Sequence, residues 1–354
     1  MSKAMSTEIP LTERREFNMY SRPAHVVRLV AILFAALMTH PLVAQGPAFT
    51  DPSAVDEDFA FQGEYVGEVD RRGEETKIGV QVIALGKGEF RAVAHFGGLP
   101  GDGWDRAEKQ TIEGHRDGDR VLLLSERGRG EIEDGQLSAW SPNGELRGRL
   151  KKVQRKSSTL GKKPPENAVV LFDGSSALQF GRGRVSADGL LMAGATSNEL
   201  FGDHFVHIEF RLPYQPESRG QKRGNSGIYV QGRYEVQMLD SFGLEGKNNE
   251  CGGIYTVRNP DINMCFPPLT WQTYDIEFRA ARFAESGKLL ERPRITVRHN
   301  GVLVHNDIEL PGDESTRAAL LNPGPAPGPV YLQDHGDPVR YRNIWVVRSD
   351  SSTP

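Results

Sequence analysis

Short runs in which apolar and polar residues alternate recur along most of the chain. The run His204–Leu212 is typical, because from Val206 onward every second residue is apolar and the residues between are His, Glu and Arg. A period of two residues indicates a half-buried β-strand, and the Gly- and Asn-rich breaks between the runs indicate turns. No long window has the period of a helix. We therefore predict an all-β protein made of short antiparallel strands.

The strands fall into two groups along the chain. In segment 58–153 the break Leu85–Gly88 separates two runs and predicts a hairpin, with Phe90, Ala92, Ala94 and Phe96 on one face. The close spacing of strands in this segment predicts a small antiparallel β domain, either a sandwich or a barrel. Segment 168–350 holds about a dozen further strands, which predict a larger two-sheet β-sandwich.

Two segments lack the alternating pattern. Segment 45–57 is small, acidic and contains proline, and we predict a disordered leader there. Segment 154–167 is basic and ends near Pro164-Pro165, as is usual for a solvated linker. We place the boundary between the two β domains in this basic linker.

The stretch Asn225–Asp240 organises the second domain. It contains two strands that are separated by a break at Gly232. In the second strand Arg233, Glu235 and Gln237 share one face, and the residues between them are apolar. That polar face is either a solvated outer surface or the floor of a polar cleft.

Composition and charge narrow the possible partners. The chain has 354 residues, 39 of them glycine and 22 proline, and a formal net charge of -4. A charge this small gives no reason to expect a nucleic acid or an anionic membrane as a partner. The sequence also lacks a Walker loop and a dinucleotide fingerprint.

An apolar run near the N-terminus predicts export. Leu29–Met38 is uninterrupted, follows Arg22 and Arg28, and would span only about 15 Å as a helix. We interpret residues 1–44 as a secretory signal that is cleaved near Ala44, so that the mature protein is periplasmic or extracellular and has no membrane span. We also hypothesise that translation starts at Met19.

Several motifs occur in the order expected for one family. They are Asn225-Ser-Gly-Ile-Tyr, Gly232-Arg-Tyr-Glu-Val-Gln, Glu250-Cys-Gly-Gly-Ile-Tyr, Asn263-Met-Cys-Phe-Pro-Pro, Trp271-Gln-Thr-Tyr-Asp-Ile and Leu332-Gln-Asp-His-Gly. The segment from Val169 to Arg348 that carries them resembles the 3-keto-disaccharide hydrolase family, whose members are also described as 3-keto-glucoside 1,2-lyases and 3-keto-2-hydroxy-glucal hydratases. The resemblance implies a concanavalin A-like jelly-roll sandwich whose concave sheet binds the sugar.

The implied chemistry requires proton transfer. A ketone at sugar carbon 3 acidifies the hydrogen on carbon 2, so an enzyme needs a base, an acid for the leaving oxygen and a group that stabilises the enolate. We predict Glu235, His335 and Asp240 as catalytic residues. A divalent metal ion held by these three is an open alternative. The alternative for Glu235 and Asp240 is a structural role as a cap or an ion-pair partner, and the alternative for His335 is a histidine whose hydrogen bonds are satisfied within a loop.

Further polar and aromatic residues are candidates for binding a sugar. The predicted substrate-binding set comprises Asn225, Arg233, Gln237, Trp271, Gln333 and Arg342. Trp271 is as well suited to the core as to stacking on a sugar ring. The two cysteines of the chain, Cys251 and Cys265, form an exact pair in a chain predicted to be exported, so we predict a disulfide that contributes about 3 kcal/mol.

We therefore predict an exported enzyme that cleaves 3-keto-glycosides, either by elimination and hydration or by hydrolysis. Its partner is an oxidised di- or oligosaccharide or glycoside. Two alternatives remain open, since a sandwich of this kind also serves as a non-catalytic, lectin-like module. The other alternative is an ordinary glycosidase with two carboxylates about 5 to 9 Å apart.

Overall fold

A computed structural model describes residues 46–349 of the chain. The predicted signal segment 1–44 and the predicted start at Met19 lie outside the described residues. Two short 3-10 helices, Glu57–Ala60 and Gly220–Lys222, accompany the strands. In the described part of the chain, no helix has the length and apolar character needed to cross a membrane.

The strands are numbered in chain order. They are β1 (Gly63–Arg71), β2 (Glu74–Gly86), β3 (Glu89–Phe96), β4 (Lys109–Asp117), β5 (Arg120–Ser125), β6 (Gly128–Glu133), β7 (Gln136–Trp140), β8 (Leu146–Val153), β9 (Val169–Phe172), β10 (Phe180–Gly181), β11 (Leu191–Met192), β12 (Ala195–Phe201), β13 (His204–Arg211), β14 (Ser226–Val230), β15 (Tyr234–Met238), β16 (Trp271–Arg279), β17 (Arg282–Phe283), β18 (Leu289–Glu291), β19 (Arg294–His299), β20 (Val302–Glu309), β21 (Gly328–Leu332) and β22 (Arg340–Arg348).

Strands β1 to β8 form a closed antiparallel barrel. Each strand pairs with the next one in sequence, and β1 also pairs with β8, which closes the barrel. On β3 the residues Phe90, Ala92 and Ala94 are buried inside, as the alternation requires. The ring of Phe61, just after the first short helix, packs edge-on against Phe90 at one end of the barrel interior.

The later strands form a two-sheet sandwich. One sheet has five strands in the order β10-β12-β21-β14-β15, and the other has the order β11-β22-β13-β16-β19-β20 with β9 paired to β22. Apolar side chains such as Val236 and Leu332 from the first sheet and Ile208 and Ile276 from the second share one core. The polar residues between them on each strand therefore face outward.

The barrel core also includes two residues of the second domain, Tyr214 and Leu269. Tyr214 is fully buried among the barrel's apolar side chains, and its ring packs against Phe59. Its backbone exchanges two hydrogen bonds of 2.9 Å with Phe49, and its hydroxyl donates to Asp56. Residues of the predicted disordered leader 45–57 are thus held by specific contacts, because Tyr214 offers them both backbone and side-chain partners.

The basic segment 154–167 also differs from the predicted solvated linker. Arg155 forms an ion pair of 2.6 Å with Glu64, a buried residue of the barrel. Lys162 pairs with Asp275 on β16, and the amide of Gly161 donates to Glu209 on β13. The first contact holds the segment to the barrel, and the other two hold it against the outer face of the larger sheet, since the buried carboxylates need cationic or N–H partners.

The prediction of an all-β fold, with a concanavalin A-like sandwich preceded by a smaller antiparallel β domain, is confirmed. The structure further decides between the two forms left open for the smaller domain. Because β1 pairs with β8, it is a barrel. The segment 46–349 belongs to one compact unit.

Candidate active site

A polar pocket of about 290 Å³ lies on the outward face of the five-stranded sheet. Its lining comes from β15, the second short helix, and the segments just before β14, after β15 and on either side of β21. The lining residues are Gln221, Asn225, Glu235, Gln237, Tyr255, Arg317, Ala318, Gln333 and His335. This pocket brings together residues that are up to 114 positions apart in the sequence, from Gln221 to His335.

Strand β15 presents Glu235 and Gln237 to the pocket. The preceding hairpin turns at Gln231 and Gly232, which both have positive φ, and the turn sets Tyr229 on β14 opposite Glu235. Glycine tolerates this conformation without strain, which explains the break at Gly232. Val236 faces the sandwich core, so Glu235 and Gln237 on either side of it face outward.

Glu235 is the buried carboxylate of the pocket. It is only 2% exposed, and burial raises the pKa of its carboxyl to about 8. The hydroxyl of Tyr229 donates a hydrogen bond of 2.7 Å to Oε2 and partly opposes that rise in pKa. The other oxygen, Oε1, is buried without a hydrogen-bond partner in the described part of the chain. Such a group is protonated at neutral pH and available for a substrate.

Gly227 on β14 makes room for this carboxyl. A Cβ atom at position 227 would overlap with Oε1 of Glu235, whereas the glycine hydrogen leaves space. The backbone of Gly227 also accepts a hydrogen bond of 2.9 Å from the amide of Gln333. Gly227 therefore helps to position both the carboxyl of Glu235 and the backbone of Gln333.

Amide side chains form the rest of the pocket floor. Nε2 of Gln237 donates to Oδ1 of Asn225 at 2.7 Å, and Nδ2 of Asn225 donates to the backbone oxygen of Gln221 at 2.9 Å. Nε2 of Gln333 donates to the Tyr229 hydroxyl at 3.1 Å. These bonds fix the amide orientations, so the floor offers a preorganised set of donors and acceptors for sugar hydroxyl groups.

The rim of the pocket is more exposed and carries the positive charge. Arg317 lies in the loop before β21, and its backbone oxygen is 2.8 Å from the hydroxyl oxygen of Tyr229. The neighbouring Thr316 anchors this loop, since its hydroxyl accepts from the amide of Glu235 and donates to the carbonyl of Arg233. His335 is exposed and follows Gln333 at the end of β21. A cation, an imidazole and a carboxylic acid thus line one pocket.

Five of the predicted site residues lie in this pocket, namely Glu235, His335, Asn225, Gln237 and Gln333. Two other predicted residues from the same stretch do not. The carboxylate of Asp240 forms a buried ion pair of 2.7 Å with Arg223, and this partner turns it away from Glu235. The guanidinium of Arg233 donates to the carbonyl of Asn322 at 2.8 Å and thereby fixes a loop.

Trp271 and Arg342 belong to the other sheet. Trp271 begins β16, and the guanidinium of Arg342 on β22 lies 4.0 Å from the centroid of its ring. Nε of Arg342 also donates to Oε2 of the buried Glu209 at 2.7 Å. The predicted role of these two residues in sugar binding at the Glu235 pocket is therefore wrong, because the buried carboxylate on the larger sheet holds the guanidinium there.

The predicted disulfide between Cys251 and Cys265 is absent, and both cysteines are buried free thiols. Sγ of Cys251 is 3.2 Å from the Tyr274 hydroxyl, which itself donates to the carbonyl of Gln237 at 2.6 Å. Sγ of Cys265 lies 3.5 Å from the carbonyl of Leu239. Each thiol thus has an oxygen partner.

No group of three or more His, Cys, Asp or Glu side chains within residues 46–349 is arranged to hold a metal ion. The predicted convergence of Glu235, Asp240 and His335 does not form, because Asp240 pairs with Arg223. A requirement for a divalent ion stays a prediction.

The pocket also contains residues that the sequence patterns did not single out, chiefly Tyr255 and Arg317, and Tyr229 contacts Glu235 from the neighbouring strand. Tyr255 is held at the pocket because its backbone amide donates a hydrogen bond of 3.1 Å to the backbone carbonyl of Glu235, at the edge of β15. Chemically, the assembled pocket can donate a proton from a neutral carboxyl and accept one at an imidazole. It can also place a guanidinium near a developing negative charge.

Comparison with known proteins extends these findings. The sequence matches the family model of the 3-keto-alpha-glucoside-1,2-lyase-like domain over residues 92–347. No curated protein matches the sequence. Among solved structures, the chain is similar to three proteins from Parabacteroides distasonis ATCC 8503 that are named as glycosyl hydrolases. The first is 32% identical, with 52% of this chain and 85% of that chain covered and a TM-score of 0.48.

The second of these structures is 16% identical, with 52% of this chain and 95% of that chain covered and a TM-score of 0.39. The third is 18% identical, with 51% of this chain and 99% of that chain covered and a TM-score of 0.36.

Proposed function

Because the chain belongs to the family of 3-keto-α-glucoside-1,2-lyase-like domains, a family of carbohydrate-active enzymes, we propose that it cleaves the glycosidic bond of 3-keto-glycosides. The observation that supports this proposal is the buried Glu235, with its pKa raised to about 8, in a pocket that also contains His335 and Arg317. We further propose that the enzyme acts after export, as the apolar run Leu29–Met38 predicts.

The proposed first step is an elimination. His335 removes the proton from carbon 2, which the neighbouring ketone has made acidic. The electron pair of that C–H bond forms the double bond between carbons 1 and 2 while the bond from carbon 1 to the glycosidic oxygen breaks. Glu235 gives its proton to that oxygen, and the leaving alcohol departs neutral. Arg317 stabilises the negative charge that develops on the ketone oxygen.

The raised pKa of Glu235 supports its role as the acid. An ordinary glutamate is ionised at neutral pH and has no proton to give, whereas a carboxyl with a pKa of about 8 remains protonated. After proton transfer the new carboxylate keeps the hydrogen bond from Tyr229, which favours the charged form. The same contact therefore stabilises the product state of the transfer.

The proposed second step is hydration of the unsaturated ketone. The Glu235 carboxylate takes a proton from water, the hydroxide adds to carbon 1, and protonated His335 returns a proton to carbon 2. Both side chains then regain their initial protonation states. The net reaction consumes one water and yields a free 3-keto sugar and an alcohol, so elimination and hydration together equal hydrolysis.

The lining of the pocket disfavours the two rival functions. A two-carboxylate glycosidase needs a second acid, and Glu235 is the one carboxylate among the described residues that line this pocket. A lectin-like module would present an aromatic platform, whereas Tyr255 is the one aromatic side chain in the same described lining. These features favour ketone-dependent chemistry over both.

Incubation with matched sugars tests the proposal. The purified protein is given a 3-keto-disaccharide and, separately, the parent disaccharide, and the released sugars are measured. We expect release from the 3-keto-disaccharide alone. Release from the parent at a similar rate would show an ordinary glycosidase, and binding without release would show a lectin-like module. A parallel assay with chelator tests the open prediction of a divalent ion.

A further inference from the structure

The interior of the N-terminal barrel contains a second cavity, which shares no residue with the Glu235 pocket. Its volume is about 230 Å³. An engineered apolar cavity of about 150 Å³ is large enough to bind benzene, so the barrel cavity can hold a small organic group. Eight-stranded barrels are at the size at which the interior is either filled by side chains or holds one small ligand.

Small side chains on the inner face of the barrel create this space. Ala92 and Ala94 on β3 and Ala139 on β7 line the cavity where larger residues would have filled it. Val80 and Leu123 complete its largely apolar wall. Such a wall favours an apolar ligand group over a sugar, since it offers few hydrogen-bond partners to hydroxyl groups.

The mouth of the cavity is strongly basic. Four arginines, Arg71, Arg127, Arg129 and Arg147, line the cavity together with one acid, Asp70. They come from the end of β1, the β5–β6 turn, the start of β6 and the start of β8, which meet at one end of the barrel. The opposite end is closed by Phe61 against Phe90. A ligand therefore enters past the arginines.

Two of the four arginines are free of acidic partners. Arg71 pairs with Glu108 at 2.8 Å, and Arg147 lies 3.7 Å from Asp70. In the described part of the chain, no carboxylate lies within 4.0 Å of Arg127 or Arg129 to form such a pair. The guanidinium of Arg129 lies 5.1 Å from the ring centroid of Trp140, which also lines the cavity.

We propose that the barrel binds a small amphiphile with an apolar body and one anionic head group, of the carboxylic acid class. The apolar body occupies the alanine-lined cavity, and the carboxylate is held at the mouth by Arg127 and Arg129. A guanidinium recognises a carboxylate through paired N–H donors, which an alcohol or a cation does not match. This site is separate from the catalytic pocket, so the proposal does not depend on the reaction at Glu235.

Titration calorimetry at low ionic strength tests the proposal with the whole protein. Decanoate and 2-naphthoate are the two probes, and their relative affinity distinguishes an acyl chain from an aromatic ring as the preferred body. We expect at least one of them to bind with one site per chain. We also expect affinity in the series from hexanoate to decanoate to rise roughly fourfold per methylene until the cavity is full. Failure of both probes to bind would overturn the proposal.

Head-group and cavity variants locate the site. Decanol and decyltrimethylammonium should each bind to the wild-type protein about tenfold or more weakly than decanoate does. The Arg129→Glu variant should bind decanoate about tenfold or more weakly than the wild-type protein does. Ala94→Leu should abolish binding by filling the cavity, and circular dichroism shows whether that variant is folded. The matched control is Arg149→Glu, which reverses an exposed charge of β8 outside the cavity lining. Equal binding by Arg129→Glu and wild type, or equal loss in the Arg149→Glu control, would contradict the proposed site.

Discussion

The hydroxyl of Tyr229 donates a hydrogen bond of 2.7 Å to Glu235, the residue directly opposite it in the β14–β15 hairpin. The tyrosine thereby contacts one carboxyl oxygen and leaves the other, Oε1, without a partner among the described residues. The hydrogen-bonded oxygen fixes the orientation of the carboxyl, and the free one is available to the substrate. Both properties follow from one cross-strand pair.

Replacement of Glu235 by glutamine should remove catalysis and preserve the fold. The amide has the shape of the carboxyl but no proton of suitable acidity, so we expect kcat to fall about 10²- to 10⁴-fold. The measurement is release of sugar from a 3-keto-disaccharide. Glu277→Gln, which removes an exposed carboxylate from the larger sheet, is the control and should retain wild-type activity. Full activity in Glu235→Gln would exclude Glu235 from the mechanism.

The pH dependence of activity should report the acid. Since the pKa of Glu235 is about 8, its proton is lost above that pH and kcat should decline there. In Tyr229→Phe the hydrogen bond that opposes the raised pKa is gone, so the decline should move to higher pH. The experiment compares kcat from pH 6 to 10 in both proteins. A decline that moves to lower pH would contradict this account.

The same carboxyl should make stability depend on pH. The native pKa of about 8 lies above the ordinary glutamate pKa of 4.5, so the native state binds more protons between these two pH values and the unfolded state gains from ionisation. The free energy of unfolding should fall as pH rises from about 4.5 to 8. Glu235→Gln avoids this loss and should exceed wild type by a few kcal/mol at pH 8, on the order of magnitude set by the pKa difference.

Urea denaturation of the two proteins at pH 5 and pH 8 measures this difference. We expect the stability gap between Glu235→Gln and wild type to widen at the higher pH. A gap that is the same at both values would show that Glu235 ionises normally in the folded protein.

Gly227→Ala should disturb the site through sterics alone. The added methyl group would overlap with Oε1 of Glu235, so the carboxyl must move, and we expect kcat to fall at least tenfold. Gly202→Ala is the matched control, because a Cβ there meets no atom within 4 Å. The rates of both variants are compared on the same 3-keto substrate. Wild-type turnover by Gly227→Ala would show that the carboxyl tolerates displacement.

Substitution of Arg317 should lower activity, whereas substitution of Arg342 should lower stability. Arg317 lines the pocket, so Arg317→Ala should lower kcat/KM about 10²-fold with little change in unfolding. Arg342→Ala removes a partner of the buried Glu209 and should cost about 1–3 kcal/mol of stability while activity persists. The measurements are kcat/KM and the free energy of unfolding of both variants. A loss of activity in Arg342→Ala together with a loss of stability in Arg317→Ala would show that Arg342 belongs to the active site.

Most of the fold and half of the site follow from the alternating pattern. A period of two residues places Glu235 and Gln237 on one face of β15, and the pocket contains both. The same counting, carried outward from the turn at Gly232, pairs Tyr229 with Glu235. The pairing of Tyr229 with Glu235 therefore follows from the strand register in the sequence. Only the structure shows that the tyrosine hydroxyl contacts the carboxyl.

The rest of the site depends on contacts that no local pattern encodes. Arg342 and Arg317 both occur near the motif residues in sequence, and the alternation at β22 gives no indication of which sheet Arg342 joins. The position of Arg342 follows from the pairing of β22 with β13, because β13 carries the buried Glu209. Arg317 comes from an irregular loop that is held by Thr316, and irregular loops have no period to interpret.

Because Tyr214 lies in the barrel core, the barrel and the sandwich depend on each other to bury their apolar side chains. A chain shortened to the sandwich would expose the ring of Tyr214, and a chain shortened to the barrel would lack this ring from its core. Either fragment would be a target for aggregation and proteolysis. The barrel and the sandwich therefore form a single folding unit, in which each half completes the apolar packing of the other.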